Sequence, residues 1–250
     1  MSIINNQLSI ICATYNASST IEKFLDSVKS QTSKLFELII IDGGSTDRTV
    51  ELIEAHPHLV TSLISEPDKG LYDAWNKGVE LATHDWICFV GADDTIRPDF
   101  VESYCEMIDK YHDEDVDYIS SKVNYVNFDG ETVRILGKAW KWKEFKNQMT
   151  CAHVGSLHNR RLFEQIGYYD INYKIIGDYE LLLRKKDKLN ARFLNKILVD
   201  MTAGGMSLSF KSLKERFYAH VKTGGMSRLF AFGIFLLGCI TLLKLRFDVR

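Results

Sequence analysis

Residues 86–94 read Trp-Ile-Cys-Phe-Val-Gly-Ala-Asp-Asp, and the reading of this stretch decides the fold. Trp86 to Val90 is a short apolar run suited to a strand covered on both faces. It passes through a small-residue turn, Gly91-Ala92, straight into two adjacent carboxylates. Carboxylates beside a buried strand are unfavourable unless they meet a cation, a hydrogen-bond donor or water. Hard oxygen ligands at a strand end suit Mg²⁺ or Mn²⁺, and such a metal commonly carries substrate phosphates. An Asp-Asp pair alone reads more simply as a solvated turn, so the weight falls on the chain around it.

Upstream, strand and helix patterns alternate. Leu8 to Ala13 is a β-rich apolar run, and Ser19-Thr20-Ile21-Glu22 has the form of a capping box. Ile21, Phe24, Leu25 and Val28 then follow at helical spacing. Phe36 to Ile41 reads as a second strand, Thr49 to His56 as a helix, Val60 to Ile64 as a third strand, and Leu71 to Ala82 as a helix before the strand at Trp86. This rhythm predicts an α/β fold with a mainly parallel central sheet and helices on both faces. Downstream, Pro98 suits the first turn of a helix reaching about Tyr111. Tyr118 to Val126 and Thr132 to Leu136 flank Asp129-Gly130 as a hairpin. Asp178 to Leu189 reads as a helix, Ala191 to Val199 as one or two strands, and Lys211 to Lys222 as an amphipathic helix.

The totals bound the function. The chain has 250 residues, 46% of them apolar, enough for one large α/β domain with an appendage. A net charge of −2 gives no electrostatic case for nucleic acid. The five cysteines form no C-x-x-C pair, so neither zinc nor a disulfide framework is indicated, and reduced core residues of a cytoplasmic protein are expected. The amino terminus does not have the pattern of a signal peptide.

Four polar groups fall at strand ends on one side of the expected sheet: Thr14-Tyr15-Asn16, Asp42 with its two glycines, Ser65 to Gly70, and Asp93-Asp94. Ligands of open α/β sheets sit outside the carboxyl ends of the strands, so these groups predict a nucleotide pocket. No G-x-G-x-x-G follows the first strand and no G-x-x-x-x-G-K-[ST] occurs, which demotes dinucleotide oxidoreductases and P-loop NTPases.

At this point the chain resembles a family-2 glycosyltransferase of the GT-A type. The matching pieces are LSIICATYN at 8–16, IIIDGGSTDRTV at 39–50, SEPDKGLYDAWNKGVELATHDW at 65–86, FVGADD at 89–94 and GDYELLLR at 177–184, in the expected order. The resemblance implies inverting transfer from a nucleotide-sugar, with UDP as the favoured donor nucleotide, and a bound Mg²⁺ or Mn²⁺. It assigns Thr14, Tyr15 and Asn16 to the loop lining the nucleotide, Asp42 to the donor's base, Asp93 to the ribose and Asp94 to the metal. Asp68 falls in a matched motif and is placed with the nucleotide-sugar, while Lys77 gains no role. Asp178 matches the catalytic base. Two departures stand out: the usual Asp-Asp pair is Asp42-Gly43 here, and the usual Glu-Asp pair is Gly177-Asp178. Apart from the resemblance, Asp178 reads as a helix N-cap.

Other residues keep two readings. His153 is either a structural histidine or an acceptor-side group. Trp140 and Trp142, set among lysines, either contact a sugar ring or headgroups or cover a surface loop. Trp75 and Trp86 read as core.

The carboxyl-terminal part is of another kind. Leu229 to Leu243 is fifteen residues without a charge, flanked by Arg228, Lys244, Arg246 and Arg250. As a helix it is about 22 Å long, short of the roughly 30 Å of a bilayer core. It reads either as a helix buried in the core or in an oligomer interface, or as an anchor on a membrane surface. The expected organisation is a GT-A domain over 1–205 and an amphipathic helix with an apolar tail over 206–250. A cytoplasmic enzyme, peripheral on the inner face of the cell membrane, with a glycan or polyprenyl-linked glycan acceptor in surface polysaccharide synthesis fits this plan. A non-catalytic sugar-nucleotide-binding scaffold at the membrane is the alternative from another class. A nucleotidyltransferase on the same kind of sheet is disfavoured by the lack of an early glycine-rich basic loop.

Overall fold

The computed structural model describes residues 7–204 and 209–247. Strands β1 (Leu8–Thr14), β2 (Phe36–Asp42), β3 (Ser62–Ser65) and β4 (Trp86–Gly91) lie in the order β3-β2-β1-β4, all parallel. The helices between them are α1 (Ile21–Lys29), α2 (Thr49–Glu54) and α3 (Leu71–Leu81). The chain builds outward from β1 to β3, then returns to the other side of β1 for β4. That reversal makes the carboxyl ends of β1 and β4 a topological switch point, where open α/β sheets hold ligands.

Alternation along the strands feeds two cores, one on each face. Ile10, Cys12, Leu38, Ile40, Cys88 and Val90 pack against Phe24, Leu25 and Val28 of α1. Ile11, Ile39, Ile41, Ile87 and Phe89 face Tyr72, Trp75 and Val79 of α3. Gly78 lets α3 lie directly on β1, since a Cβ there would stand 2.5 Å from a methyl of Ile11.

Beyond β4 the sheet becomes mixed. After the two-residue β5 (Thr95–Ile96) comes α4 (Phe100–Lys110), then β6 (Tyr118–Val126) and β7 (Thr132–Leu136) as the expected hairpin. Short elements follow: α5 (Trp142–Phe145), β8 (Leu157–Asn159) and α6 (Arg160–Ile166). β8 runs antiparallel between β4 and β6 and joins the two halves of the sheet. After α7 (Gly177–Lys185) and a 3-10 turn, β9 (Ala191–Thr202) lies parallel to β6 and ends beside β5.

Three local expectations are corrected. The capping box at Ser19 does not form: Thr20 is the N-cap of α1, and its hydroxyl donates to Ala17 O instead of capping. Pro98 precedes the N-cap Asp99, and the helix begins only at Phe100. Asp178 is not an N-cap, since that place belongs to Ile176.

Two helices close the chain. α8 (Phe210–Lys222) is capped by Ser209, which exchanges hydrogen bonds with Ser212. α9 (Arg228–Phe247) packs one side on α8, with Ala231 buried and Gly238 set against Leu213. Its other side is also apolar: Leu229, Phe232, Leu236, Ile240 and Leu243, at helical spacing, are all exposed. No helix among the described residues is long and apolar enough to cross a membrane. Cys12, Cys88, Cys105 and Cys151 are buried, and none of the five cysteines forms a disulfide among the described residues.

Candidate active site

The parallel register sets Thr14, Asp42 and Ser65 in one row at the carboxyl ends of β1, β2 and β3. Asp42 has no exposed surface. Its Oδ1 accepts from Thr14 Oγ1 at 3.0 Å and from the Ser45 hydroxyl, and its Oδ2 accepts from Gly44 N (3.1 Å), Ser45 N (2.8 Å) and Ser65 Oγ (2.7 Å). Burial pushes its pKa up, but the donors, led by Ser45, outweigh burial and hold it below the usual carboxylate range. Asp42 thereby fixes the 43–45 turn and has no vacant lone-pair direction in this geometry.

That turn is tied in its own right to the loop after β1. Asn16 N donates to Ser45 Oγ at 2.8 Å, and Asn16 Oδ1 accepts from Thr46 N at 2.8 Å. Asn16 takes a φ of +49°, a left-handed conformation that its short polar side chain tolerates. Below it, Asp47 accepts from Ser18 N (3.1 Å) and Thr49 N (3.0 Å). The Thr49 hydroxyl, foremost among its donors, holds the Asp47 pKa well below the ordinary value. The outcome of this lacing is Tyr15, projected outward with 64% of its surface exposed.

Asp68 reaches the same turn from the segment after β3. Its Oδ1 accepts from Gly70 N at 2.7 Å, and its Oδ2 lies where a Cβ on Gly43 would come within 2.7 Å. Lys77 is held in an ion pair with Glu66 at 2.7 Å.

Asp93 is exposed and Asp94 is buried, at 5% exposure. Asp94 Oδ1 accepts from Thr202 N at 3.0 Å. Burial first, and then the Asp93 charge, push the Asp94 carboxyl up to about 7. An ionised Asp94 is therefore under-compensated by protein groups, and a divalent cation beside it would relieve both causes. Among the described residues no three His, Cys, Asp or Glu side chains gather to hold a metal ion. The donor set thus fits a hard cation that takes one or two carboxylates and completes its shell with phosphate oxygens and water.

Asp178 lies in the first turn of α7, half-buried. Its Oδ1 accepts from Tyr179 N at 2.8 Å and from the Tyr72 hydroxyl at 3.2 Å. Burial lifts its pKa to about 6, against the lowering by these donors. The segment leading into α7 is held from α8, where the Glu215 carboxylate accepts from the backbone N–H groups of Lys174, Ile175 and Ile176.

These groups form one continuous rim. Register joins Gly91 to Ala13, a hydrogen bond joins Thr14 to Asp42, Gly43 backs onto Asp68, and Tyr72 joins the Asp68 segment to Asp178. The model of glycosyl transferase family 2 matches residues 9–217. The chain belongs to that family. A PGL/p-HBAD biosynthesis glycosyltransferase of Mycobacterium tuberculosis is 31% identical over 206 residues, covering 80% of this chain and 78% of the relative. Among solved structures, residues 1–349 of S. aureus TarS in complex with UDP-GlcNAc superpose with a TM-score of 0.69 at 17% identity, over 92% of this chain and 70% of that TarS fragment. A mannosyltransferase of Pyrobaculum calidifontis, in complex with GDP-Man and Mn²⁺, gives a TM-score of 0.62 at 16% identity, over 98% of this chain and 76% of its own. The fold is that of the GT-A neighbours and the protein is a glycosyltransferase.

In this glycosyltransferase, His153, Trp75, Trp140 and Trp142, also singled out in the sequence, pack against neighbouring rings, Trp140 and Trp142 remaining half-exposed. His153 is buried, stacks on Trp75 and bonds the Tyr169 hydroxyl at 3.0 Å, and burial depresses its pKa to about 3. Trp140 packs on Phe145 of the core, with ring centroids 4.3 Å apart. Trp75 and Trp86 are buried as expected. Sequence reading missed Ser45, Asp47, Tyr72 and Thr202, and placed Ser65 in a strand-end polar group without giving it a partner. Ser45 and Asp47 carried a signal, because the turn Asp42-Gly-Gly-Ser-Thr-Asp47 is rich in groups that bond nearby backbone. Thr202 and Tyr72 carried none, since their partners lie more than a hundred positions away.

Proposed function

We propose that the enzyme is an inverting glycosyltransferase. It moves a sugar from a nucleotide-diphosphate donor, UDP-linked by preference, to a lipid-linked glycan at a membrane surface. The observation that carries this reading is the rim itself, with a carboxylate suited to a cation at one end and a carboxylate of raised pKa at the other. Tyr15, exposed and fixed by Asn16, offers a ring face to the base. Thr14, Asn16, Asp42 and Asp68 form and brace the nucleotide-sugar site, and Asp93 faces the ribose. Asp42 acts chiefly by holding the 43–45 turn, and contact with a base N–H requires it to release one hydroxyl donor.

Asp94, with Asp93 beside it, would hold Mg²⁺ or Mn²⁺. Such an ion, when bound, stabilises the charge that grows on the departing diphosphate. Asp178 takes the proton of the acceptor hydroxyl as the acceptor oxygen bonds to the anomeric carbon and the carbon–diphosphate oxygen bond breaks. One displacement inverts the centre, and a placed base contributes about 10²–10⁴-fold.

The charge and apolar pattern of α8 and α9 supports the acceptor class. Residues 210–244 hold six basic side chains and one acid, Glu215, while the whole chain is at −2. The outer face of α9 is a line of exposed Leu, Phe and Ile. An apolar face beside basic groups suits insertion at the surface of an anionic leaflet. Because α8 grips the segment before Asp178, a surface-bound α8–α9 pair sets the base side of the rim near the lipid.

A donor panel of UDP- and GDP-sugars with Mn²⁺ tests the reading. A true donor at about 100 times its Kd adds ~2.7 kcal/mol of stability. Release of nucleoside diphosphate, with a product of opposite anomeric configuration by NMR, is the expected result. Donor binding with no diphosphate release would instead mark a scaffold.

A further inference from the structure

We propose that Tyr72 is a positioning residue for Asp178, a hydroxyl that swivels between two acceptors as the carboxylate gains and loses a proton. The inference rests on the reading of Asp178 as base and deepens it.

The geometry is specific. Tyr72 is 2% exposed, stacked on Tyr169 at 5.4 Å and edge-on to Trp75 at 5.4 Å, so its ring cannot wander. Its hydroxyl lies 2.9 Å from Ile175 O and 3.2 Å from Asp178 Oδ1. A phenol has one hydrogen to donate and two lone pairs to accept with. While Asp178 is ionised, its oxygen is the stronger acceptor and draws that hydrogen. Once Asp178 has taken the acceptor's proton, its oxygen becomes the weaker acceptor, and the hydrogen turns to Ile175 O. Neither state leaves the phenol hydrogen without a buried acceptor, and no heavy atom moves. The proton balance is complete: one proton passes from the acceptor hydroxyl to Asp178, and the Tyr72 hydrogen changes only its direction.

Gly177 makes this placement available. A Cβ at 177 would stand 2.8 Å from the Tyr72 ring, so the ring occupies the volume that any larger residue there would need. Ile175, the other acceptor, is locked by Glu215, which binds its N–H at 2.9 Å. The groups facing Asp178 from neighbouring elements are Tyr72 on α3, Tyr118 on β6 and Tyr169, all held above their ordinary pKa by burial. On α7 and α8, Glu180 is paired with Arg184, and Glu215 serves the backbone. Tyr72 is thus the side chain that donates to the Asp178 carboxylate among the described hydrogen bonds.

The test is the pH profile of kcat/KM in Tyr72→Phe, with Asp178→Asn as companion. Tyr72→Phe keeps the ring and removes the donor to an ionised group. The acid limb should move upward by about one to two pH units. The rate near neutrality should fall several-fold and return above about pH 8.5, with the KM for donor unchanged. Tyr72→3-fluorotyrosine, a stronger donor in the same shape, should move the limb the other way, and it serves if the phenylalanine variant folds poorly. A limb that stays in place in both, while Asp178→Asn is inactive, overturns the swivel and leaves the base. Full activity of Asp178→Asn overturns the base reading and this inference together.

Discussion

Thr202 closes over Asp94 from the far end of the sheet: its N–H donates to Asp94 Oδ1 at 3.0 Å, and its hydroxyl donates to Asp93 O at 2.6 Å. The Asp94 carboxylate and the Asp93 backbone are therefore both held from β9. Asp94→Asn keeps the shape and one acceptor for Thr202 but removes the charge that would hold a cation. Transfer should fall about a hundredfold or more, the loss expected when transition-state charge goes unmet. Mn²⁺ should raise the melting temperature of the parent protein and not that of the variant. Metal-dependent turnover at the parental rate would refute the assignment.

Asp178→Asn should abolish transfer and leave donor affinity intact, measured by calorimetry with a nucleoside diphosphate. In the parent enzyme, the base works only when ionised, so kcat/KM should drop as pH falls through about 6. The stability effect has the opposite sense. A folded pKa above the unfolded one means that folding costs free energy once Asp178 ionises, so its contribution worsens as pH rises from about 4 to about 6. At pH 8 the asparagine variant should melt no lower than the parent, and up to about 3 kcal/mol of stability is at stake. A lower melting point at that pH would mean that the carboxylate is structural.

The parallel half of the fold was legible because it is local. Phe36–Asp42 is buried over nearly its whole length, and α1 shows its inward residues at helical spacing, so short windows of sequence carry both. β8 was not legible: three residues, Leu157–Asn159, have no period and become a strand only between β4 and β6. The site divides in the same way. Asp42, Asp94 and Asp178 stand in turns and helix starts that announce themselves. Among their hydrogen-bond partners are Ser65, Thr202 and Tyr72, which register and packing bring in from elsewhere. The departures at Gly43 and Gly177 looked like losses, but each has its space filled from one segment, by Asp68 and by Tyr72.

Gly43 and Asp68 should therefore be coupled. Gly43→Ala puts a Cβ 2.7 Å from Asp68 Oδ2, and the carboxylate must shift. Donor affinity should fall in Gly43→Ala and in Asp68→Ala, while adding the first change to the second should cost little more. A double-mutant cycle on donor binding should give an interaction energy of roughly 0.5–3 kcal/mol. Strict additivity would show that the two positions act apart.

The outer face of α9 offers the sharpest test of where the enzyme works. Phe232, Leu236 and Ile240 are about half-exposed and share one side of the helix, whereas Ala231 and Gly238 on the other side hold it to α8. Changing the outer three to serine leaves the α8 contact alone, so the melting temperature should change little. Each such side chain yields about 1.5–3 kcal/mol when fully taken from water. With about half of each side chain still exposed, inserting all three makes a difference of about 2–4.5 kcal/mol in partitioning, on the order of 10²–10³-fold. The parent protein should therefore float with phosphatidylglycerol vesicles and the triple variant should not. Salt should weaken binding by screening Arg228 and Lys244 without abolishing it, because the apolar part is not screened. Donor hydrolysis in solution should be equal in the two proteins, while transfer to a vesicle-borne acceptor should be lost in the variant. If the parent stays off vesicles and instead forms a dimer that the serines dissolve, the stripe is a contact between copies, and the acceptor must reach Asp178 from solution.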